Sequence, residues 1–293
     1  MNVRELSAGV LARTREQPWT SWRSQVGILI QRELRRGLFT RRRAWIYLLA
    51  FTPPLMMAIH LAVQRRAPAY GGALQDETEV LGGIIQFYYV RLGLFFACMG
   101  IFSWLFRGEM VERTLHYTFL LPVRREVLVV GKFLAGAITA MILFETAILG
   151  CFFFDYSRFG AVGTAYMFHG AGLRQLGAYL LVIALGALGY GAVFLGLSLV
   201  FKNPIVPGAL FFGWEAITPI LPRWLQMLSI TFYLKQLYPV HVATNSGILS
   251  LFSVVPEPLS SYTAVFGLLC FTAAVIVFSC YRIRSVEITY TTD

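Results

Sequence analysis

The sequence contains few charged residues. Only 14% of its 293 residues are Asp, Glu, Lys or Arg, whereas soluble globular proteins carry about 25%. This scarcity of charge, combined with 57% apolar residues and a mean hydropathy of +0.64, excludes an ordinary soluble protein. It also excludes a disordered chain, which would be rich in charge and poor in apolar side chains.

Residues that bind metals or form disulfides are also scarce. The chain has four Cys and four His, without a CxxC pair or an HExxH motif. The cysteines lie in or beside apolar segments, at Cys98, Cys151, Cys270 and Cys280. We therefore predict no metal site and no disulfide in this chain.

The signatures of acyl-transfer enzymes and nucleotide-binding loops are missing as well. No GxSxG motif occurs. Gly131-Lys132 resembles the end of a phosphate-binding loop, but Phe133 replaces the required Ser or Thr, and no glycine lies five residues before Gly131. We therefore predict no catalytic residue and no cofactor on this chain. If ATP is used, another subunit binds it.

Long apolar blocks dominate the rest of the sequence. A membrane-spanning helix needs about 20 mostly apolar residues, and six blocks approach or exceed that length: 44–63, 82–106, 127–154, 176–201, 205–221 and 262–281. They predict an all-α polytopic membrane protein with six transmembrane helices. The predicted divisions are an N-terminal segment (1–43), a transmembrane domain (44–282) and a tail (283–293).

The net charge of +10 is distributed unevenly. With the N-terminus in the cytoplasm, eighteen Lys and Arg fall on the cytoplasmic side and six on the other. Cytoplasmic loops collect basic residues, so this distribution predicts that both termini are cytoplasmic. Because no aromatic and basic single-strand module is present, we predict no nucleic-acid partner.

The segment 22–39 has helical periodicity, with an apolar half interrupted by Glu33. Its other half contains Arg32, Arg35 and Arg36. This pattern predicts an amphipathic helix in the cytoplasmic interface, with its apolar side in the lipid. The alternative is an ordinary basic flank of the first span.

A second cytoplasmic element is predicted in the loop between spans two and three. The residues from Glu109 to Phe119 can form a short amphipathic helix that Pro122 ends, with Arg124 and Arg125 placed to meet anionic head groups or an acidic partner. Such a helix suits docking to a soluble partner. The alternative is a solvated loop.

Arg91, Glu145 and Glu215 lie within apolar blocks, where a charged residue is costly and usually faces the bundle. By residue count Arg91 and Glu145 lie at similar depth, which favours a structural ion pair over a lining role in a transport path; for Glu215 both interpretations stay open. Residues 222–261 are divided by prolines, and we expect short half-inserted helices there.

The inner loop resembles that of the membrane subunits of type-2 ATP-binding-cassette exporters. The resemblance rests on Glu112, Thr114-Leu115, Leu120-Leu121, Pro122-Val123, Arg125 and Gly131-Lys132, with every interval kept. The loop departs from the usual pattern at Arg113 and Arg124, where Gly and Ser are common. Residues 32–35 resemble the interface-helix motif of the same family, and Trp214-Glu215 resembles its fifth-span motif.

The resemblance implies a permease of the prokaryotic plasma membrane that dimerises, with a second copy as the expected partner, and binds two ATPase subunits holding ATP and Mg²⁺. The interface helix (Arg32, Glu33, Arg35, Arg36) and a coupling group would contact those subunits. The coupling group comprises Glu109, Glu112, Arg113, Thr114, Leu115, Pro122 and Arg125. Membrane lipids and an exported substrate would be the other partners. The alternatives are a membrane-embedded enzyme acting on lipids and a non-transporting anchor for an ATPase complex.

Overall fold

The computed structural model describes residues 19–38, 44–64, 74–111, 123–201, 203–240 and 259–285. Within these ranges the regular structure is helical throughout, without a strand. Apolar runs of this length favour helices because a helix satisfies its backbone hydrogen bonds internally, as lipid requires. The chain is an all-α polytopic membrane protein, as predicted.

The described helices follow one another along the chain in this order. Up to residue 111 they are α1 (Trp19–Leu38), α2 (Ala44–Gln64), α3 (Leu74–Gly83), a π-helical segment (Ile84–Leu94) and α4 (Phe95–Val111). From residue 125 they are α5 (Arg125–Ser157), α6 (Gly160–His169), α7 (Gly172–Val200), α8 (Ile205–Ile217), α9 (Arg223–Gln226), α10 (Ile230–Lys235) and α11 (Ser261–Arg282). Short 3₁₀ turns follow α8 at Thr218–Ile220 and α11 at Ile283–Ser285.

In the described part of the chain, 5 helices are long and apolar enough to cross a membrane: Ala44–Val63, Glu77–Met110, Arg125–Ser157, Gly172–Val200 and Ser261–Ser285. The predicted fifth span is shorter than expected. Its helix, α8, has 13 residues, which is about 20 Å at 1.5 Å per residue, against a hydrocarbon core of about 30 Å. The helix ends here because Pro219 lacks the N–H that would continue it.

Two helices form the centre of the bundle. Of the most apolar stretch of each helix, 72% is buried in α5 and 67% in α7, whereas only 22% is buried in α2 and in α11. Glycines allow the close packing: a methyl group added at Gly136 of α5 or Gly191 of α7 would overlap the ring of Phe102 in α4. These small residues therefore serve packing within one chain.

The short helices expected before the last span are present as α9 and α10. Every residue from Ile230 to Leu234 of α10 is buried. Leu234 and Ile230 pack over Gly186 and Gly189 of α7, and Tyr233 packs over Gly267 of α11. The apolar side chains of α10 are therefore covered by protein, as irregular backbone at membrane depth requires.

Two prolines within α2 leave carbonyl groups that another helix satisfies. Pro53 and Pro54 have no N–H to donate to the carbonyls four residues earlier, at Leu49 and Ala50. The hydroxyl of Tyr88 donates to Leu49 O at 3.0 Å, and that of Tyr89 donates to Ala50 O at 2.9 Å. Both tyrosines lie in the π-helical segment. A π-helix has more residues per turn than an α-helix, so the angle between the side chains of two consecutive residues is smaller.

The bundle has two ends that polar contacts define. At the Arg125 end, the start of α5 meets the end of α11: Arg284 Nε lies 2.6 Å from Glu126 Oε1. At the Arg158 end, the residue following α5 meets the start of α3, because Arg158 forms an ion pair with Glu77. The end of α4 also lies at the Arg125 end, because Glu109 of α4 contacts Lys132 in the first turns of α5.

Candidate functional site

A buried ion pair joins the two helices that flank the inner loop. Lys132 Nζ lies 2.8 Å from Glu109 Oε1, and the two side chains are 1% and 7% exposed. Lys132 Nζ also donates a hydrogen bond to Leu105 O at 2.6 Å and lies 4.9 Å from the centre of the Phe106 ring. The cation is thus held by a carboxylate, a carbonyl and an aromatic face.

The local sequence explains this arrangement. Leu105 and Glu109 are four residues apart and therefore lie on one face of α4, directed towards the first turns of α5, where Lys132 lies. Burying either charge alone would be costly, and each side chain compensates the charge of the other. The pair therefore holds the end of α4 against the start of α5, on either side of the inner loop.

The structure changes the predicted position of Glu109. Glu109 was expected to begin a separate amphipathic helix at the surface, but it lies within α4 and is 6% exposed. The helix of span two continues through it because its carboxylate has a buried cation to meet. Five other residues of the predicted coupling group lie outside the described residues: Glu112, Arg113, Thr114, Leu115 and Pro122.

The structure places Arg125 against the end of the last helix. Its Nη1 donates to Ile283 O at 3.3 Å and to Arg284 O at 3.1 Å. A cation at these terminal carbonyls is favourable because the C-terminus of a helix carries partial negative charge. Arg125 therefore joins α5 to α11, a role that its place in the loop motif did not indicate.

A helix is present where the interface helix was predicted: α1 extends over residues 19–38, close to the predicted 22–39. Arg32 and Arg35 are exposed, as expected for its polar face; the side chain of Arg36 lies outside the described part. Its other face differs from the prediction, because α1 packs along α5. That buried face includes both Leu29 and Glu33, at 6% and 8% exposure.

The helix α1 contacts α5 beside the buried ion pair. Leu29 lies against Gly131, so closely that a methyl group there would be 3.0 Å from Leu29 Cδ1. At the end of the loop, the guanidinium of Arg124 lies 4.8 Å from the centre of the Trp22 ring. We call the Glu109–Lys132 pair together with these two contacts the loop anchor.

Glu215 is a second buried carboxylate, 3% exposed. It accepts three hydrogen bonds from the start of α10: from Ser229 Oγ at 2.8 Å, from Ile230 N at 2.9 Å and from Thr231 N at 3.1 Å. Negative charge at a helix N-terminus is favourable. Glu215 therefore fixes α10 against the end of α8.

The predicted ion pair between Arg91 and Glu145 is wrong. Among the residues that the structure describes, the carboxylate whose charge acts on Arg91 is Glu215, together with the hydroxyls of Tyr190 and Tyr238. Glu145 is half-buried and forms no ion pair within that part of the chain. The prediction counted residues along regular α-helices, whereas Arg91 lies in the π-helical segment, where that count does not give the direction of a side chain.

Sequence reasoning missed polar residues at both ends of the bundle. Lys132 was noted in the loop pattern but not as the partner of Glu109. At the Arg158 end, Asp155 is 6% exposed and lies near the Glu77–Arg158 pair, whose arginine also contacts His60 Nε2 at 3.4 Å. For Lys132 the available signal was an ionisable residue inside an apolar block, a usual mark of a paired or functional group.

Comparison with protein families shows the family of the chain. The chain matches the family described as ABC-2 family transporter protein over residues 38–214. The matched region runs from the end of α1 to α8 and includes the Glu109–Lys132 pair, Arg91 and Glu145. A comparison with curated proteins gives no match. Because the match covers more than half of the sequence, the chain belongs to the ABC-2 transporter family, as a membrane permease component of an ABC transporter and not its ATP-binding unit.

Proposed function

We propose that this permease is half of an exporter, pairing with a second copy and driven by two ATPase subunits. ATP and Mg²⁺ would bind to those subunits alone. In this proposal the Arg125 end faces the cytoplasm of a prokaryotic cell, and both chain termini lie on that side of the plasma membrane. The exposed Arg32, Arg35 and Arg124 support this orientation, since basic residues collect on the cytoplasmic side of a membrane.

The loop anchor is the observation that supports coupling most strongly. A loop that receives force from another subunit transmits it only if its ends move together with the helices. The Glu109–Lys132 pair fixes the two ends of the loop to each other, because separating two buried charges costs far more free energy than bending a solvated loop. The contact between Leu29 and Gly131 adds α1 to the same unit.

The path away from the loop anchor follows α5. This helix has 33 residues and is therefore about 50 Å long, more than the membrane's hydrocarbon core. At its far end Arg158 is paired with Glu77 at the start of α3. A displacement of the loop would thus reach the opposite end of the bundle through one continuous helix.

The test compares two reversals of charge at opposite ends of the bundle. Glu112→Arg changes the centre of the inner loop, whereas Glu79→Arg changes an exposed residue of α3 near the Arg158 end. We expect Glu112→Arg to lower the amount of ATPase that co-purifies with the permease and to abolish transport, with normal membrane insertion. Glu79→Arg should co-purify as wild type does. Equal ATPase recovery with the two variants would contradict the coupling proposal.

Stoichiometry has a separate test. Native mass spectrometry of the complex purified in detergent should give two copies of this chain and two ATPase subunits. A complex that contains one copy of this chain and a different permease would exclude the homodimer while leaving coupling intact.

A further inference from the structure

The helix α5 is largely buried, but it has an exposed face in the middle of its length. Three apolar side chains on this face, Ile142, Leu149 and Phe153, are 45%, 45% and 58% exposed, and Thr146 between them is exposed as well. Their intervals of four, three and four residues place them on one side of the helix. Glu145 lies at the edge of the same face and is half-buried. We call these five residues the α5 stripe.

The carboxylate of the α5 stripe lies deep in the membrane. Glu145 is four residues beyond the midpoint of the 33-residue helix, which is about 6 Å along the helix axis. With α5 centred on a hydrocarbon core of about 30 Å, this position is far from the lipid head groups on either side. An ionisable residue at this depth is costly, and it usually has a partner or a function.

The described residues provide no such partner. Within the part of the chain that the structure describes, Glu145 forms neither a hydrogen bond nor an ion pair. The described cations inside the spans, away from the helix ends, are already engaged: Lys132 pairs with Glu109, and Arg91 interacts with other groups of the chain. The described part of a second copy would therefore bring no available cation to this depth either.

The surroundings of Glu145 favour an organic cation over a metal ion. A metal ion such as Ca²⁺ takes about six to eight oxygen ligands. Beside Glu145, however, the nearest hydroxyl on the stripe, that of Thr146, donates to Ile142 O at 2.6 Å. No cluster of three His, Cys, Asp or Glu side chains able to hold a metal occurs among the residues that the structure describes. The carboxylate thus offers one charge and few further oxygen ligands.

The rest of the α5 stripe suits an apolar molecule. Leu149 and Phe153 follow Glu145 at intervals of four and eight residues, so Phe153 lies about 12 Å along the helix from the carboxylate. One amphipathic molecule can therefore place its positive charge at Glu145 and its hydrocarbon or aromatic part against these two side chains. The head group of a membrane lipid stays at the surface and does not reach this position.

We propose that the α5 stripe binds an organic cation with an apolar body, which enters from the membrane. The Glu145 carboxylate meets the positive charge, and Leu149 and Phe153 contact the apolar part. Charge complementarity selects this occupant, because an unpaired carboxylate at membrane depth is stabilised by a cation. The inference does not depend on ATPase coupling, since binding can be measured on the permease alone.

The test compares two ions of the same shape and opposite charge, tetraphenylphosphonium and tetraphenylborate. Equilibrium dialysis against the full chain in dodecyl maltoside measures their binding, with protein-free micelles as the baseline. We expect saturable binding of tetraphenylphosphonium alone, weakened about tenfold or more in Glu145→Gln. The matched control is Glu79→Gln, which removes the same charge from an exposed position of α3 and should bind as wild type does.

A second variant covers the case in which Glu145→Gln fails to fold. Leu149→Lys places a cation one helical turn after Glu145, where the two side chains can pair. It should weaken tetraphenylphosphonium binding although the carboxylate is still present, whereas Leu149→Met should keep it. Equal binding of the two ions, wild-type affinity in Glu145→Gln or Leu149→Lys, or an equal loss in Glu79→Gln or Leu149→Met would overturn the proposal.

Cysteine cross-linking tests whether a second copy covers the α5 stripe instead. Glu145→Cys is oxidised in native membranes, and the unmodified chain, in which Cys270 is exposed, is the control. We expect no additional cross-linked dimer. A disulfide between two copies through position 145 would place the second copy on the stripe and overturn the proposal. Loss of ATPase co-purification in Glu112→Arg would leave all of these binding results unchanged, so the two proposals fail separately.

Discussion

Glu109 and Glu215 are both buried carboxylates, and the fold neutralises them by different means. Glu109 meets the cation of Lys132, 2.8 Å away on a different long helix. Glu215 meets three hydrogen-bond donors at the start of α10, and the nearest of these is 14 residues later in the chain. Glu109 thus joins the two long helices α4 and α5 beside the inner loop, whereas Glu215 holds the short helix α10 against the end of α8.

The difference predicts how each site responds to damage. In the ion pair one buried charge faces another, so the loss of the Lys132 cation removes the charge that compensates the Glu109 carboxylate. In the Glu215 site the stabilisation is spread over one hydroxyl and two backbone N–H groups. A neutral side chain that still accepts hydrogen bonds can therefore retain part of the stabilisation that Glu215 provides.

The largest effect is expected when the ion pair loses its cation. Lys132→Met should lower the free energy of unfolding by about 3–5 kcal/mol, because the Glu109 carboxylate stays buried without its partner. Thermal unfolding of the purified chain in detergent measures the change. The double variant Glu109→Gln/Lys132→Met has no buried charge at this site and should recover most of the loss. A double variant as unstable as Lys132→Met would show that the pair matters for packing and not for charge.

A smaller effect is expected at the Glu215 site. Glu215→Gln keeps one acceptor oxygen but loses the charge, and it should cost about 1.5–3 kcal/mol, the range of a hydrogen bond to a charged group. Glu145→Gln is the matched control, because Glu145 forms neither an ion pair nor a hydrogen bond with the described residues. It should change stability by less than about 0.5 kcal/mol. Equal destabilisation by the two variants in thermal unfolding would contradict the assigned role of Glu215.

The sequence predicted those elements that depend on local pattern. The periodicity of α1 located it to within a few residues, and the apolar runs located every long helix of the described chain. Hydropathy alone failed at α8, because Pro219 ends the helix before it reaches the length of a span. The apolar composition of a block does not reveal where its backbone loses a donor.

The partners of the buried charges could not be predicted, because partner choice depends on side-chain direction in three dimensions. Glu109 and Lys132 were both visible at the ends of the loop, yet nothing local indicates that they meet. The predicted pairing of Arg91 with Glu145 was wrong because it counted residues along regular α-helices, whereas Arg91 lies in the π-helical segment. Residues 112–122, the centre of the predicted coupling group, lie outside the described residues, so their role stays a prediction.

The comparison can be extended to a buried site that has no charge. Tyr89→Phe leaves the carbonyl of Ala50 without its donor and should cost about 1 kcal/mol. In a Pro54→Ala background the backbone N–H at position 54 can serve that carbonyl, so Tyr89→Phe should cost less there. A double-mutant cycle in thermal unfolding measures the coupling. Equal costs in both backgrounds would indicate that Tyr89 acts through another contact, such as Cys151 Sγ at 3.5 Å.

The smallest effect is expected at an exposed counterpart of the buried pair. Arg284 and Glu126 are 2.6 Å apart, but their side chains are 65% and 32% exposed, so water and salt screen their attraction. Arg284→Ala should therefore cost at most about 1 kcal/mol, and the cost should shrink in 1 M NaCl. The loss in Lys132→Met should stay nearly constant in the same salt series, because a buried charge is screened far less. An equal reduction of the two stability losses by salt would mean that water reaches the Glu109–Lys132 pair in detergent. The pair would then be easy to separate, and the loop anchor could not be rigid.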